Sequence, residues 1–147
     1  VGFVGLSLLL AAANAAAIPR ASHGWLLSLA RPPGGPTVLL IVQAWTFLSI
    51  PSGLGAWLAW RRPGHRPALL LWGWHLLASA VWTQCLLGLR LPGVALPAAL
   101  ALVALSGASA GAFVRLRPVA GALLLPTLAW SCYALYITAG LWWLNRG

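Results

Sequence analysis

Ten tryptophans, nine arginines and three histidines carry most of the chemistry open to this chain, and no Asp or Glu stands beside them. Without carboxylates there is no Asp or Glu to act as general acid or base. No side-chain carboxylate can hold Mg²⁺ or Ca²⁺, and the intramembrane acid of many proton-coupled carriers is missing. Glycosidase, nuclease, kinase and carboxylate-driven pump chemistries are therefore excluded. What remains is flat aromatic surface and positive charge. An indole offers a broad apolar face and a single N–H donor. Trp25, Trp60, Trp72, Trp142 and Trp143 lie near the ends of apolar runs, where an interfacial aromatic belt is expected. Trp45, Trp57, Trp82 and Trp130 lie deeper. A deep indole facing lipid leaves its N–H without a partner, so Trp45 and Trp130 are expected to face a cavity or another helix. An aromatic-lined cavity suits a flat apolar ligand; plain helix packing is the competing reading.

His75 lies within an apolar run. An ionisable residue there is a functional candidate, or else a neutral imidazole bonded to a neighbouring helix. His23 and His75 are the candidates for holding a metal ion, each of them isolated. Cys85 and Cys132 sit in apolar runs without CxxC spacing and read as small buried core residues rather than a disulfide.

The elements that must position these residues follow from composition. The chain is 61% hydrophobic and 6% charged, against about 25% charged in soluble domains. A water-facing surface cannot be built from it, so lipid is its solvent. Five apolar runs, 1–18, 37–60, 68–89, 94–114 and 119–144, are each near the ~20 residues that cross a bilayer. They do not alternate as membrane strands do, and helices satisfy their own backbone in lipid. The expectation is an all-α membrane protein, a five-transmembrane-helix bundle forming one domain over 1–147. Its long first loop is 19–36. Pro51, Pro97 and Pro126 predict kinks, and the short later loops predict that successive helices are antiparallel neighbours. The first run reads as a retained helix; the alternative is a signal peptide cleaved near Ala15-Ala16-Ala17, although no positive n-region precedes it.

The arginines are scattered between runs rather than massed on one element, which argues against nucleic acid and for the bilayer as partner. Arg61, Arg62, Arg66, Arg115 and Arg117 fall on one side. Arg20, Arg31, Arg90 and Arg146 fall on the other. The positive-inside rule then gives a cytoplasmic N-terminus to a multi-pass protein, expected in a bacterial cell membrane. Gly107-x-x-x-Gly111 and Ala11-x-x-x-Ala15 allow close backbone approach, within the bundle or in a homodimer.

Four stretches in order resemble the TspO/MBR family, the tryptophan-rich sensory proteins of bacteria and the mitochondrial translocator proteins. They are Trp25-Leu26-Leu27-Ser28-Leu29-Ala30-Arg31-Pro32; Ala44-Trp45-Thr46 with Gly53 and Trp57; Trp82 to Arg90 followed by Pro92-Gly93; and Leu125-Pro126-Thr127-Leu128-Ala129-Trp130 with Leu144-Asn145. Several polar family positions differ. Ser49 replaces a Tyr, His75 and Ser79 replace Gln and Asn, Ala98 replaces an acid, Thr138 replaces an Asn, and Gly34-Gly35-Pro36-Thr37 replaces Trp-Thr-Pro-Pro. The resemblance implies a ligand cavity open toward the first loop, often in a homodimer. It also implies protoporphyrin or haem as ligand, with no obligatory cofactor, and a ligand site drawn from Trp45, Trp130, Trp25, Arg31, His23, Ser49 and Thr138. Indole faces would stack on such a ring. Arg20, Arg31 and His23 would meet its propionates, or contact lipid phosphates instead. Light- and oxygen-dependent breakdown of porphyrin, reported for some members, would fall to Trp45 and Trp130. A small carrier or structural subunit without a dedicated ligand is the remaining alternative.

Overall fold

The computed structural model describes residues 2–146. Its helices are α1 (Gly2–Ala16), α2 (Ala21–Ser28), α3 (Val38–Trp60), α4 (Arg66–Thr83), α5 (Pro92–Leu116), α6 (Pro118–Ala122) and α7 (Leu125–Leu144), with a π-helical turn at Gln84–Gly88 extending α4. Four spans, made by α3, by α4 with its π turn, by α5, and by α6 with α7, run 23 to 27 residues at mean hydropathies of 1.2 to 1.8. At ~1.5 Å per residue each is long enough to cross ~30 Å of hydrocarbon. The 15 residues of α1 turn through 79° into α2, and this bent pair supplies the fifth element of the bundle. Large apolar side chains such as Leu9, Phe47 and Leu70 stand exposed, at 67%, 71% and 66%. Helices apolar on their outer as well as inner faces belong in lipid, so the chain is an integral membrane protein.

Two details depart from the expected runs. Residues 21–28 of the first loop are helical. The last run breaks after Ala122, which leaves Pro126 in the first turn of α7 rather than inside a continuous helix. The cause is local: proline at 126 cannot donate to the carbonyl four residues back, and its ring crowds that carbonyl. Helix ends are set by similar chemistry elsewhere. Thr37 Oγ1 accepts from the Leu40 amide at 3.2 Å to start α3, and prolines occupy the first turns of α4, α5 and α6.

The helices pack in the ring order α1, α3, α6–α7, α5, α4, with α4 returning to touch α1. Successive spans α3 and α4 do meet, through Trp45 against Trp82 and His75 and through the Trp72–Ser52 bond, but α3 packs more extensively on α1 than on α4. Small residues on α3 explain why it turns elsewhere. A Cβ on Gly53 would lie 2.6 Å from Val4 Cα of α1, and one on Gly55 would lie 2.8 Å from the Ala120 carbonyl oxygen of α6. Both seams need the backbone contact that only glycine allows. Two cores result: Trp82, Leu86, Leu102, Ile137 and Leu141 with Leu26 and Ile41 at the first-loop end, and Trp72, Phe113, Ala120 and Leu124 at the other.

The first loop is bound down onto the bundle. Asn145 exchanges two bonds with Ala30, at 2.8 and 3.1 Å. The Tyr133 and Tyr136 hydroxyls donate to the carbonyls of Gly34 and Pro33, and Ser22 Oγ donates to the Leu87 carbonyl. Pro32 lies against Gly140, where a Cβ would approach within 2.6 Å of its ring.

Candidate functional site: the tryptophan-lined interior

Trp45, on α3, has its ring 6.2 Å from Trp82 and 6.4 Å from His75, both on α4, between centroids. It lines a cavity of about 40 Å³ between α1, α3 and α4, together with Ser7, Asn14, Ile41, Ser49 and Thr83. Trp130, on α7, stacks at a tilt on Tyr133 with centroids 5.0 Å apart. It lines a second cavity of about 10 Å³ with Pro36, Ile41, Trp82, Tyr133 and Ile137. The two indoles thus do not share one cavity: Ile41 forms a wall of both, and Trp82 stands between. The first-loop residue Pro36 closes the second cavity.

The buried indoles divide by hydrogen bonding. Trp82 Nε1 donates to Thr138 Oγ1 at 2.9 Å, and Trp72 Nε1 to Ser52 Oγ at 2.9 Å. Trp72 is 3% exposed, so it is a core residue rather than the belt residue its place near a run end implied. Trp45 Nε1 and Trp130 Nε1 are buried without a partner among the described residues. Buried polar groups without partners are rare in native proteins, and each asks for an explanation. The Ser109 and Thr127 hydroxyls also lack partners among the described residues, but neither lines the Trp45 or the Trp130 cavity.

Around Trp45 the walls carry neutral polar groups. Ser49 Oγ donates to the Trp45 carbonyl at 2.7 Å, with the Ser7 carbonyl at 3.4 Å. Gln84, in the π turn, donates to Asn14 Oδ1 at 2.6 Å and to its carbonyl at 3.1 Å, clamping the end of α1 to α4. Behind Trp45, His75 Nδ1 lies 2.9 Å from Ser106 Oγ, which lies 2.9 Å from Ser131 Oγ. This buried chain joins α4, α5 and α7 and gives His75 its partner on a neighbouring helix. Asn14, Gln84, Ser106 and Ser131 were not singled out from sequence. Their signal was only that each is a polar residue within an apolar run.

The sequence model of the TspO/MBR family matches residues 3–144, nearly the whole chain. The chain belongs to the TspO/MBR family. It is similar to the translocator protein of Ovis aries, 29% identical over 128 residues that cover 84% of this chain and 76% of that protein. It is also similar to the translocator protein of Bos taurus, 28% identical over 127 residues covering 83% and 75%.

Not every residue that the TspO/MBR resemblance implied reaches the two cavities. Ser49 lines the Trp45 cavity, and Thr138 stands behind Trp82 as its acceptor. Arg31 lies on an exposed depression with Leu27, Pro32 and Gly35, and His23 is exposed on α2. Trp25 is half-buried beside a different recess, with Arg90 and Arg146. Among the described residues no three His or Cys side chains gather as a metal site. Cys85 is half-buried, whereas Cys132 is exposed on α7 rather than buried in the core, and both are free thiols. Ala11 and Ala15 face the Trp45 cavity and Gly107 faces Leu128 of α7, so of the two small-residue pairs only Gly111 points to open space.

Proposed function

We propose that the protein is a membrane receptor or translocator for a flat, largely apolar molecule with hydrogen-bond acceptors, the tetrapyrroles protoporphyrin and haem being the class it takes. One observation carries this reading: Trp45 and Trp130 line cavities between the helices, and each holds a buried N–H with no partner among the described residues. A guest that slid its face along these indoles and offered acceptors at its edge would meet both needs.

Cavities of about 40 and 10 Å³ hold little more than water, since ligand pockets run roughly 300–1,000 Å³. Binding therefore needs Ile41 and Trp82 to part and α1 to move outward. With 15 residues and a sharp bend after it, α1 is the element suited to that motion. The measured affinity is then reduced by the fraction of molecules already open.

The test is titration of the purified protein with protoporphyrin, following tryptophan fluorescence. Saturable quenching that weakens about tenfold or more in Trp45→Phe with Trp130→Phe supports the reading, because Phe keeps an aromatic face and removes the N–H donor. The smallness of the cavities favours a second reading, a structural membrane subunit with no dedicated ligand. Quenching that rises without saturation, at the same slope in wild type and variant, selects it.

A further inference from the structure

At the first-loop end of the bundle, Arg90 and Arg146 line one recess of about 480 Å³ together with Trp25, Pro92 and Trp142. Trp142 is also a wall of an adjoining groove of about 510 Å³ that is almost wholly apolar, formed by Leu96, Tyr136, Ala139 and Trp143 on the outer faces of α5 and α7. Two cations thus stand at the mouth of an apolar channel.

Neither cation can be neutralised by an acidic side chain of this protein, because the sequence has no Asp or Glu. Arg146 is nevertheless held in place. Arg146 stacks on Trp143 with its guanidinium carbon 3.3 Å from the ring centroid, and on Trp142 at 5.3 Å. Its neighbour Asn145 is anchored to Ala30 and Leu141. Arg90 adopts φ 59°, the left-handed region, where Gly or Asn is the usual residue. A long cationic side chain sits there despite the strained backbone.

We propose that this recess binds the headgroup of one anionic phospholipid. Its phosphodiester lies between the Arg90 and Arg146 guanidiniums, and an acyl chain runs past Trp142 along the apolar groove. Guanidinium pairs phosphate oxygens in fork geometry. The two positive charges favour a lipid of net negative charge over a zwitterionic one. Trp25 and Trp142 would lie at headgroup depth, the level tryptophan prefers. The site is separate from the Trp45 and Trp130 cavities, and no part of the argument depends on the ligand proposed for them.

The test is native mass spectrometry of the full chain in detergent, with phosphatidylglycerol or phosphatidylcholine of identical acyl chains added. Wild type is expected to retain one phosphatidylglycerol with a preference on the order of tenfold over phosphatidylcholine. Arg90→Gly with Arg146→Gln should bring the ratio close to one. Gly relieves the left-handed backbone, so thermal melting of the Arg90→Gly single variant should be unchanged or raised. Arg61→Gln with Arg62→Gln removes the same charge at the opposite end and should leave the preference intact. Equal retention of both lipids by wild type would overturn the proposal, as would an equal loss in the Arg61/Arg62 variant. Displacement of the lipid by millimolar inorganic phosphate would also overturn it, since it would mark a site for a free anion.

Discussion

Replacing Gly53 with Ala places the new methyl where α1 already lies. It would sit 2.6 Å from Val4 Cα, 2.7 Å from Val4 N and 3.0 Å from the Phe3 carbonyl carbon. Relaxed carbon contacts lie near 3.5–4.0 Å, so α1 must withdraw by about 1 Å. Every atom struck is backbone, so no rotamer change can relieve the contact. Overpacking of this kind costs ~1–3 kcal/mol, and a 1 Å gap along the rest of the α1–α3 seam forfeits up to about half of each dispersion contact there. Against this, Ala gains up to ~1 kcal/mol over Gly in a helix interior. The net expectation for Gly53→Ala is a loss of ~1–2 kcal/mol. Gly73→Ala provides the matched control. It too is inside a long helix, but nothing lies within 4 Å of its Cβ position, so only the helix gain remains and stability should hold or rise.

Thermal unfolding in detergent micelles, followed by circular dichroism, reads both variants. A Gly53→Ala protein that melts at or above wild type would refute the close α1–α3 packing. So would a Gly73→Ala protein that falls as far. A second readout joins the packing to the binding proposal. If α1 must move outward to admit a guest, Gly53→Ala has already made part of that movement. Its protoporphyrin affinity should then rise while its stability falls, because the open fraction is larger. Affinity and stability falling together would mean that α1 is a fixed wall rather than a door.

Two further substitutions test the buried polar links. Ser106→Ala leaves the His75 and Ser131 groups short of a partner between α4, α5 and α7, and should lower stability by ~1–3 kcal/mol in the same melting assay, as unsatisfied buried groups do; an unchanged midpoint would show that the chain is not formed. Asn145→Ala removes both bonds to Ala30 and one to Leu141. Hydrogen–deuterium exchange should rise over residues 30–36 with the spans unaffected, and uniform protection across the loop would contradict the anchoring role.

The spans were legible because each is a run of ~20 apolar residues between Arg, Pro and Gly clusters, and lipid leaves helix as the only local solution. The short helix α2 was not. Its Ser, His and Gly content gives little intrinsic helicity, and what holds it is tertiary: Leu26 is 1% exposed in the core, and Ser22 bonds the Leu87 carbonyl. The break before α7 was written in Pro126, but one turn earlier than the proline itself, where its missing hydrogen bond falls. Ring order was hidden for another reason. A short loop brings two helix ends together without fixing which neighbour each helix packs against along its length. Gly53 and Gly55 decided that, by allowing α3 onto α1 and α6.

Depth along a run proved a weaker guide to the site than helix face. Trp60 and Trp72 both lie near run ends, yet Trp60 is 50% exposed while Trp72 is 3% exposed and bonded to Ser52. A helix apolar on all sides carries no periodic signal of which face turns inward, so sequence could assign a tryptophan to a depth but not to a wall. The family order of residues selected Trp45 and Trp130, and these are the two indoles whose N–H groups are buried with no partner among the described residues. What it could not supply was the partition between them, which depends on where Ile41 and Trp82 come to lie once α3, α4 and α7 have packed. The arginines show the same limit from the electrostatic side. With no Asp or Glu in the sequence, none of them can pair with a side-chain carboxylate, and sequence could sort them only by membrane side. Bringing Arg90 and Arg146 around one recess required Pro92 and the anchored end of α7 to set them there, information that exists only after the helices have met.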